Sequence, residues 1–301
     1  MKALQVNVFS SKYGWFVVIS AANKNMCVAV CPRRQQTELF MNFLKVLVAV
    51  CALLLAPLSF ADDGVDGARP TVLITGANRG IGIEFAKQYA ELGWNVIATC
   101  RNPAGADELN ELAAANNNVV VERLDLLDHE GIDALAEQYR EQPVDVLLNN
   151  AGLMRGPDRG QMVGTIDYDE FDRFYKINAI GPLKVSEAFY KNVKASDLKI
   201  MAALTTGKGN RGIPVPGFSL YKTSKAALDA IQKEIAIRWK RQGIKVVTLL
   251  PGRVLTHGET DAPGQNAVDV EDSISGMIEV LDALTIEQTG WTIQWDGELI
   301  E

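Results

Sequence analysis

From Pro70 onward, short apolar, β-branched runs alternate with longer stretches in which apolar side chains recur every three to four residues. A short unbroken apolar run leaves no room for a helix of ordinary length but suits a strand buried on both faces. The pattern predicts strands over 71–75 (TVLIT), 95–100 (NVIATC), 118–123, 144–149 (VDVLLN), 198–204, 244–250 (IKVVTLL) and 290–295. Between them, 80–92, 105–116, 129–141, 169–194, 222–242 and 266–284 carry the helical period. Strands and helices in strict alternation close into a parallel sheet with helices on both faces. The expected fold is α/β, a single domain over 62–301 built on one doubly wound, parallel, seven-stranded sheet.

Residues 1–61 follow another pattern. Phe43 to Leu58 (FLKVLVAVCALLLAPL) is apolar apart from Lys45 and Pro57, and it runs into Ser59-Phe60-Ala61 and the acidic Asp62-Asp63. A basic residue, a short apolar core and small residues before a break are the three parts of a secretory signal. The segment 41–61 is therefore expected to be a signal peptide cleaved after Ala61. Its apolar core is too short for a comfortable membrane span of ~20 residues, so membrane attachment is expected only if the segment stays uncleaved. Met41 stands where such a signal begins, which makes residues 1–40 candidates for sequence upstream of the true start. Use of the signal implies an exported, periplasmic protein; disuse implies a cytoplasmic one.

Composition narrows the chemistry. At 301 residues, 48% hydrophobic and 22% charged, the chain has enough apolar side chains for a sizeable core, which excludes a disordered protein. The net charge of -7 removes the cationic surface that drives nucleic-acid binding, so no nucleic-acid partner is expected. Four cysteines (Cys27, Cys31, Cys51, Cys100) without paired CxxC spacing, and only two histidines, offer no zinc set.

Directly after the first predicted strand of the domain comes Gly76-Ala77-Asn78-Arg79-Gly80-Ile81-Gly82, leading into a helix. Glycines here let the backbone turn sharply and approach a pyrophosphate, which sits on the free N–H groups of the helix start. The spacing is G-x3-G-x-G, which differs from the G-x-G-x-x-G fingerprint, so an ordinary glycine turn is the competing reading. An NAD site places an acid at the end of the second strand for the ribose 2′-hydroxyl; here that end reads Cys100-Arg101-Asn102. Arg101, with Arg79 in the glycine loop, offers two guanidinium groups to a 2′-phosphate, and the expected cofactor is NADP.

Three more clusters follow in order: Asn149-Asn150-Ala151-Gly152, Asn178 in KINAIGP, and Tyr221-Lys222-Thr223-Ser224-Lys225 opening an alanine-rich helix. Tyr221 and Lys225 stand four apart and share a helix face. An ammonium near a phenol favours the phenolate, so Lys225 is expected to bring Tyr221 toward working pH as a general acid/base. A tyrosine packed at a helix start beside a snorkelling lysine is the alternative.

With the glycine loop, these motifs make residues 70–300 resemble the short-chain dehydrogenase/reductase family, in particular its carbonyl-reductase and C-factor-like branch, through ATCRNP and the closing GWTIQWDGELI. The resemblance implies a Rossmann-like fold and hydride transfer between NADP(H) and a small-molecule carbonyl or alcohol. It implies that Lys225 also holds the nicotinamide ribose and that Asn178 carries a water of the proton relay. Asn150, Ala151 and Gly152 would line the cofactor, Asp125 would lie beside the adenine or act as a helix N-cap, and Val254 and Thr256 would meet the nicotinamide amide. A homodimer or homotetramer through 169–194 and 222–242 is implied as well.

One position departs from the family. Where a serine normally bonds the substrate oxygen, the chain reads Ala203-Leu204-Thr205-Thr206-Gly207. Thr206 offers the same donor and acceptor, crowded by a methyl group, with Thr205 and Ser219 as alternatives. This departure keeps a second function open, a dinucleotide-binding signalling or sensing module with little turnover. The loops 153–168 and 253–268, which would shape the substrate pocket, carry no recognised code.

Overall fold

The computed structural model describes residues 5–11, 14–21, 24–30, 67–155, 160–207, 217–254 and 267–300. The chain divides into two units, Met1–Asp62 and Asp63–Glu301. In the first, β1 (Gln5–Ser11), β2 (Gly14–Ala21) and β3 (Lys24–Val30) form an antiparallel sheet in the order β1-β2-β3. Ser11 pairs with Gly14 and Ala21 with Lys24, with two residues between successive strands. These strands were not anticipated, although NVF, WFVVIS and CVAV are rich in β-branched and aromatic residues. The apolar run at 43–58 and the signal at 41–61 lie outside the described residues. Among the described residues no helix is long and apolar enough to cross a membrane.

The second unit is the expected α/β domain. All seven predicted strands form, as β4 (Thr71–Thr75), β5 (Asn95–Cys100), β6 (Val119–Arg123), β7 (Val146–Asn149), β8 (Ile200–Leu204), β9 (Lys245–Leu250) and β10 (Thr292–Gln294). They pair in parallel throughout. The sheet has eight strands where seven were expected, because β11 (Leu299–Ile300) folds back antiparallel onto β10. The order β11-β10-β9-β8-β7-β4-β5-β6 reverses direction between β4 and β7. In a doubly wound sheet, that reversal opens a crevice beyond the strand C-termini where a ligand binds.

Both faces of the sheet are covered, which explains the unbroken apolar strands. Val72 and Ile74 of β4, Val96 and Ala98 of β5, and Val146 and Leu148 of β7 join one core with α1 (Ile81–Glu91), through Phe85 and Tyr89. Helix α8 (Val270–Asp282) adds Ile274, Met277 and Leu281 to that core. The intervening Leu73, Ile97 and Leu147 point the other way, into a core with Ile132, Val185, Phe189 and Ile235. Those four come from α3 (His129–Gln138), α5 (Gly181–Ala188) and the turn after it, and α7 (Ser219–Trp239). Helix α2 (Asp107–Ala115) packs Leu109 against the first core.

The helix expected over 169–194 is not continuous. It runs as α4 (Phe171–Tyr175), a π-helical segment Lys176–Ile180, then α5 and α6 (Tyr190–Ala195). A π segment inserts one residue into the helical repeat and re-aims the side chains around it. Asn178 sits in its middle, fully buried.

Candidate active site

The glycine loop joins β4 to α1 on the β7 side of the crevice. Gly76 has φ 68, and a Cβ there would lie 2.9 Å from both Cα and Cβ of Ala151. A Cβ on Gly82 would run into the Gly76 carbonyl and come within 2.6 Å of Asn150 Nδ2. Only glycine allows this approach. The loop is braced from β7: Asn150 Nδ2 donates to the carbonyls of Thr75 (2.8 Å) and Gly76 (3.0 Å). Thr75 Oγ1 in turn accepts from the N–H groups of Asn150 (3.0 Å) and Ala151 (3.1 Å). Asn150 and Ala151 therefore shape the loop. Thr75, which the sequence did not single out, is the hinge of this network.

Helix α1 starts at Gly80 with no side-chain cap, so nothing from the chain's own side chains competes for its first N–H groups. Asn78 and Ile81 are half-buried within the loop, while Arg79 is exposed. Ala77 N–H donates to Thr99 O at 2.8 Å, laying the loop against the end of β5. Arg79 and Arg101 each lie two residues beyond that bond, both exposed, and neither forms an ion pair with a described residue. Glycine backbone at close approach and an uncapped helix start make a cradle that a dinucleotide's pyrophosphate fits.

Asp125 follows β6, next to the end of β5 through Leu124 N–H on Cys100 O (2.9 Å). Its Oδ1 accepts from Leu127 N–H at 3.0 Å. It is not the N-cap of α3; Asp128 is, accepting from Gly131 N–H at 2.9 Å. Val254 is held by a parallel bridge to Val268, whereas Thr256 lies outside the described residues.

On the other side of the crevice, Tyr221 stands in the first turn of α7 with its phenol facing Thr206, whose hydroxyl just beyond β8 favours the ionised form. Thr205 points elsewhere, its hydroxyl buried without a partner among the described residues. Ser219 opens α7, and its N–H donates to Gln161 O at 3.0 Å. One turn after Tyr221, Lys225 is buried, and its Nζ donates to Leu204 O at 2.7 Å. Lys225 is not snorkelling.

The electrostatics differ from the sequence expectation. Burial pushes the Tyr221 phenol up to about 12, the Thr206 hydrogen bond pulling the other way. Burial also brings the Lys225 ammonium down to about 8, against the pull of the Asp229 carboxylate. The two groups share a dry wall, each losing hydration of its charged form, and both move toward neutrality. The Lys225 ammonium is directed at the Leu204 carbonyl, and burial sets the rise of the phenol, opposed by Thr206.

Asn178 closes the floor. Its Nδ2 donates to Leu153 O (2.9 Å) and Ser224 Oγ (2.9 Å), and its Oδ1 accepts from Leu153 N–H (2.6 Å). The side chain thus ties the strand end carrying Gly152 to the helix carrying Lys225. A Cβ on Gly152 would lie 3.4 Å from Asn178 Oδ1 and 3.5 Å from Lys225 Nζ, so Gly152 leaves the lysine its passage. The Asn178 side chain is engaged by Leu153 and Ser224. Gln161, Ser224 and Thr75 are the members the sequence reading missed.

Fold and site define a dinucleotide-binding α/β oxidoreductase, with a cradle at the sheet reversal facing a tyrosine and lysine on one helix. Residues 70–266 match the short chain dehydrogenase family model, and the chain belongs to that family. It is similar to an uncharacterised oxidoreductase of Schizosaccharomyces pombe, 32% identical over 245 residues, covering 75% of this chain and 96% of that protein. The C-signal protein of Myxococcus xanthus is 33% identical over 166 residues, 54% of this chain and 96% of its own. Among solved structures, the NADPH-bound carbonyl reductase from chicken fatty liver superposes with a TM-score of 0.71 at 30% identity, covering 77% of this chain and 99% of that one.

Proposed function

We propose that the chain is an NADP(H)-dependent reductase or dehydrogenase acting on a small carbonyl or alcohol, with Tyr221 as the general acid/base. The observation that carries this reading is Tyr221 and Lys225 one turn apart on α7, with Lys225 Nζ on the Leu204 carbonyl at the C-terminal end of β8 and Thr206 facing the phenol. When bound, NADPH supplies the hydride to the carbonyl carbon. Tyr221 gives its proton to the carbonyl oxygen, and in the reverse direction takes it from the alcohol. Thr206 orients the phenol and offers its hydroxyl to the substrate oxygen, the role of the family serine. Glycines 76, 80 and 82 with Asn78 and Ile81 would hold the pyrophosphate, and Arg79 and Arg101 the 2′-phosphate. The likeness to an NADPH-bound carbonyl reductase supports both cofactor and substrate class.

The test is NADPH oxidation across a panel of aldehydes, ketones and dicarbonyls, run beside Tyr221→Phe. Turnover that falls by about 10²-fold or more in the variant, with NADPH binding kept, is the expected result; equal turnover removes Tyr221 from the chemistry. A second reading, a dinucleotide-binding sensing module, draws on the threonine in place of serine and on the phenol at about 12. It predicts NADPH binding without turnover on any member of the panel.

Export through 41–61 belongs to the same proposal, with the cytoplasm as its alternative, and N-terminal sequencing of the mature protein decides it. A homodimer or homotetramer through 169–194 and 222–242 is checked by light scattering.

A further inference from the structure

The first turn of α7 carries Tyr221, and its own N-cap residue does not cap it. Phe218 stands at φ 59 and makes no side-chain cap hydrogen bond. A left-handed conformation at a bulky residue costs on the order of 1 kcal/mol and persists only where its surroundings fix it. Much of that fixing comes from Gln161, which lies far upstream in the chain. Gln161 is 0% exposed, the rarest situation for an amide side chain. Its Oε1 accepts from Tyr221 N–H at 3.0 Å, and its backbone oxygen accepts from Ser219 N–H at 3.0 Å, so one residue receives two of the helix's first donors. The other end of the amide, Nε2, donates to the Arg155 carbonyl. Arg155 lies three residues after Gly152, and its guanidinium is 3.1 Å from Glu170 Oε2 at the entry to α4.

The amide therefore spans two walls of the site. On one side is the segment that leaves β7 past Gly152 and Leu153; on the other is the backbone N–H of the tyrosine itself. The direction of the Tyr221 side chain follows from the orientation of that first turn. A displacement of ~1 Å at a reacting group is enough to cost on the order of 10²-fold in rate.

We propose that Gln161 is a positioning residue for proton transfer, its amide fixing the first turn of α7 against the Arg155 backbone so that the Tyr221 hydroxyl stands over the reacting oxygen. The inference rests on Tyr221 being the proton donor. Gln161 itself touches neither substrate nor cofactor in this account.

The test uses the full chain with NADPH and the best carbonyl substrate of the panel. Gln161→Met keeps the length and apolar volume of the side chain and removes both amide bonds; Gln161→Ala serves if Met is not accommodated. The expected result is a fall in kcat of about tenfold to a hundredfold, with the NADPH Kd from fluorescence titration unchanged within about twofold. Hydrogen exchange at the amides of Ser219 to Thr223 should quicken about tenfold or more at the same time. A kcat within twofold of wild type overturns the proposal, and so does an NADPH Kd that weakens in step with kcat, which marks general loosening. The exchange measurement needs no turnover: unchanged protection at Tyr221 removes Gln161 as the cap whatever the activity. If the wild type reduces no carbonyl, the proton-transfer role falls, and quickened exchange would leave Gln161 as a structural cap alone.

Discussion

Thr206 faces the Tyr221 phenol and favours its ionised form, whereas the hydroxyl of its neighbour Thr205 is buried without a partner among the described residues. Two adjacent threonines therefore have opposite value. Removing the Thr206 hydroxyl takes away the one contact that lowers the phenol's pKa and should move it further from neutrality. Thr206→Val is expected to cost about tenfold in kcat, the worth of one hydrogen bond of ~1.4 kcal/mol. Thr206→Ser, which keeps the hydroxyl, should stay close to wild type. Thr205→Val deletes a buried group with nothing to bond and should raise stability by up to ~1 kcal/mol with turnover intact. Steady-state kinetics and thermal melts of the three variants check this pattern, and equal losses at both positions would contradict it.

Lys225 makes a second, pH-dependent prediction. Its folded-state pKa is depressed to about 8 from 10.5. Between those values the unfolded chain holds the proton that the folded one has released. Stability should therefore rise as pH increases from about 8 toward 10.5, and below pH 8 the buried ammonium weighs against the fold. Lys225 is 4% exposed, so the shift is little screened, and its worth is on the order of 3 kcal/mol. Lys225→Met should lose turnover while its melting temperature no longer climbs over pH 8–10. A variant whose climb matches wild type would show that another group titrates there.

Arg79 and Arg101 sit at the edge of the cradle, exposed and without ion pairs to described residues. Under the proposed cofactor reading, a 2′-phosphate is the partner of these two exposed guanidinium groups. Replacing both with alanine should raise the KM for NADPH by about 10- to 100-fold through loss of charge-assisted bonds, and leave the KM for NADH nearly unchanged. Comparing kcat/KM with the two cofactors before and after the change reads the effect directly. A parallel loss with NADH would assign the arginines to the fold.

Much of this arrangement is legible in the sequence, and its gaps have physical causes. The central strands β4, β5, β7, β8 and β9 declare themselves because they are buried on both faces and so read as largely apolar runs. Two-residue β11 is too short to carry any period. The π segment at Lys176–Ile180 leaves the apolar repeat of α4 and α5 almost unchanged while turning Asn178 inward. Tyr221 and Lys225 are placed on one face by their spacing, yet spacing does not say where the two tips point. The lysine finds the Leu204 carbonyl before it finds the phenol. Thr205 and Thr206 separate only once Thr205 N–H is seen to extend the β8–β9 pairing to Leu249 O at 2.9 Å, which turns the next side chain toward α7. Gln161 caps a helix far away in sequence, and no local pattern announces a cap of that kind.

The last prediction concerns the opposite edge of the sheet. Asp145, at the N-terminal end of β7, is 8% exposed and joins three strands. Its Oδ2 accepts from Thr71 N–H of β4 at 2.9 Å and its Oδ1 from Leu198 N–H before β8 at 3.3 Å. Its own N–H and carbonyl continue to Thr71 O and Ile200 N at 2.8 and 3.0 Å. The side chain thus supplies acceptors where the parallel ladder runs out. Asp145→Ala leaves two backbone N–H groups without them and should destabilise the domain by about 2–6 kcal/mol, at roughly 1–3 for each buried orphan. Asp145→Asn keeps one acceptor and turns an NH₂ toward the other donor, so it should recover at most half of that loss. The strands end at the active site on the far edge, so kcat at a temperature where both variants remain folded should match wild type. Denaturant titration gives the stabilities, and a fall in kcat as large as that of Thr206→Val would mean that strain at this edge reaches the crevice.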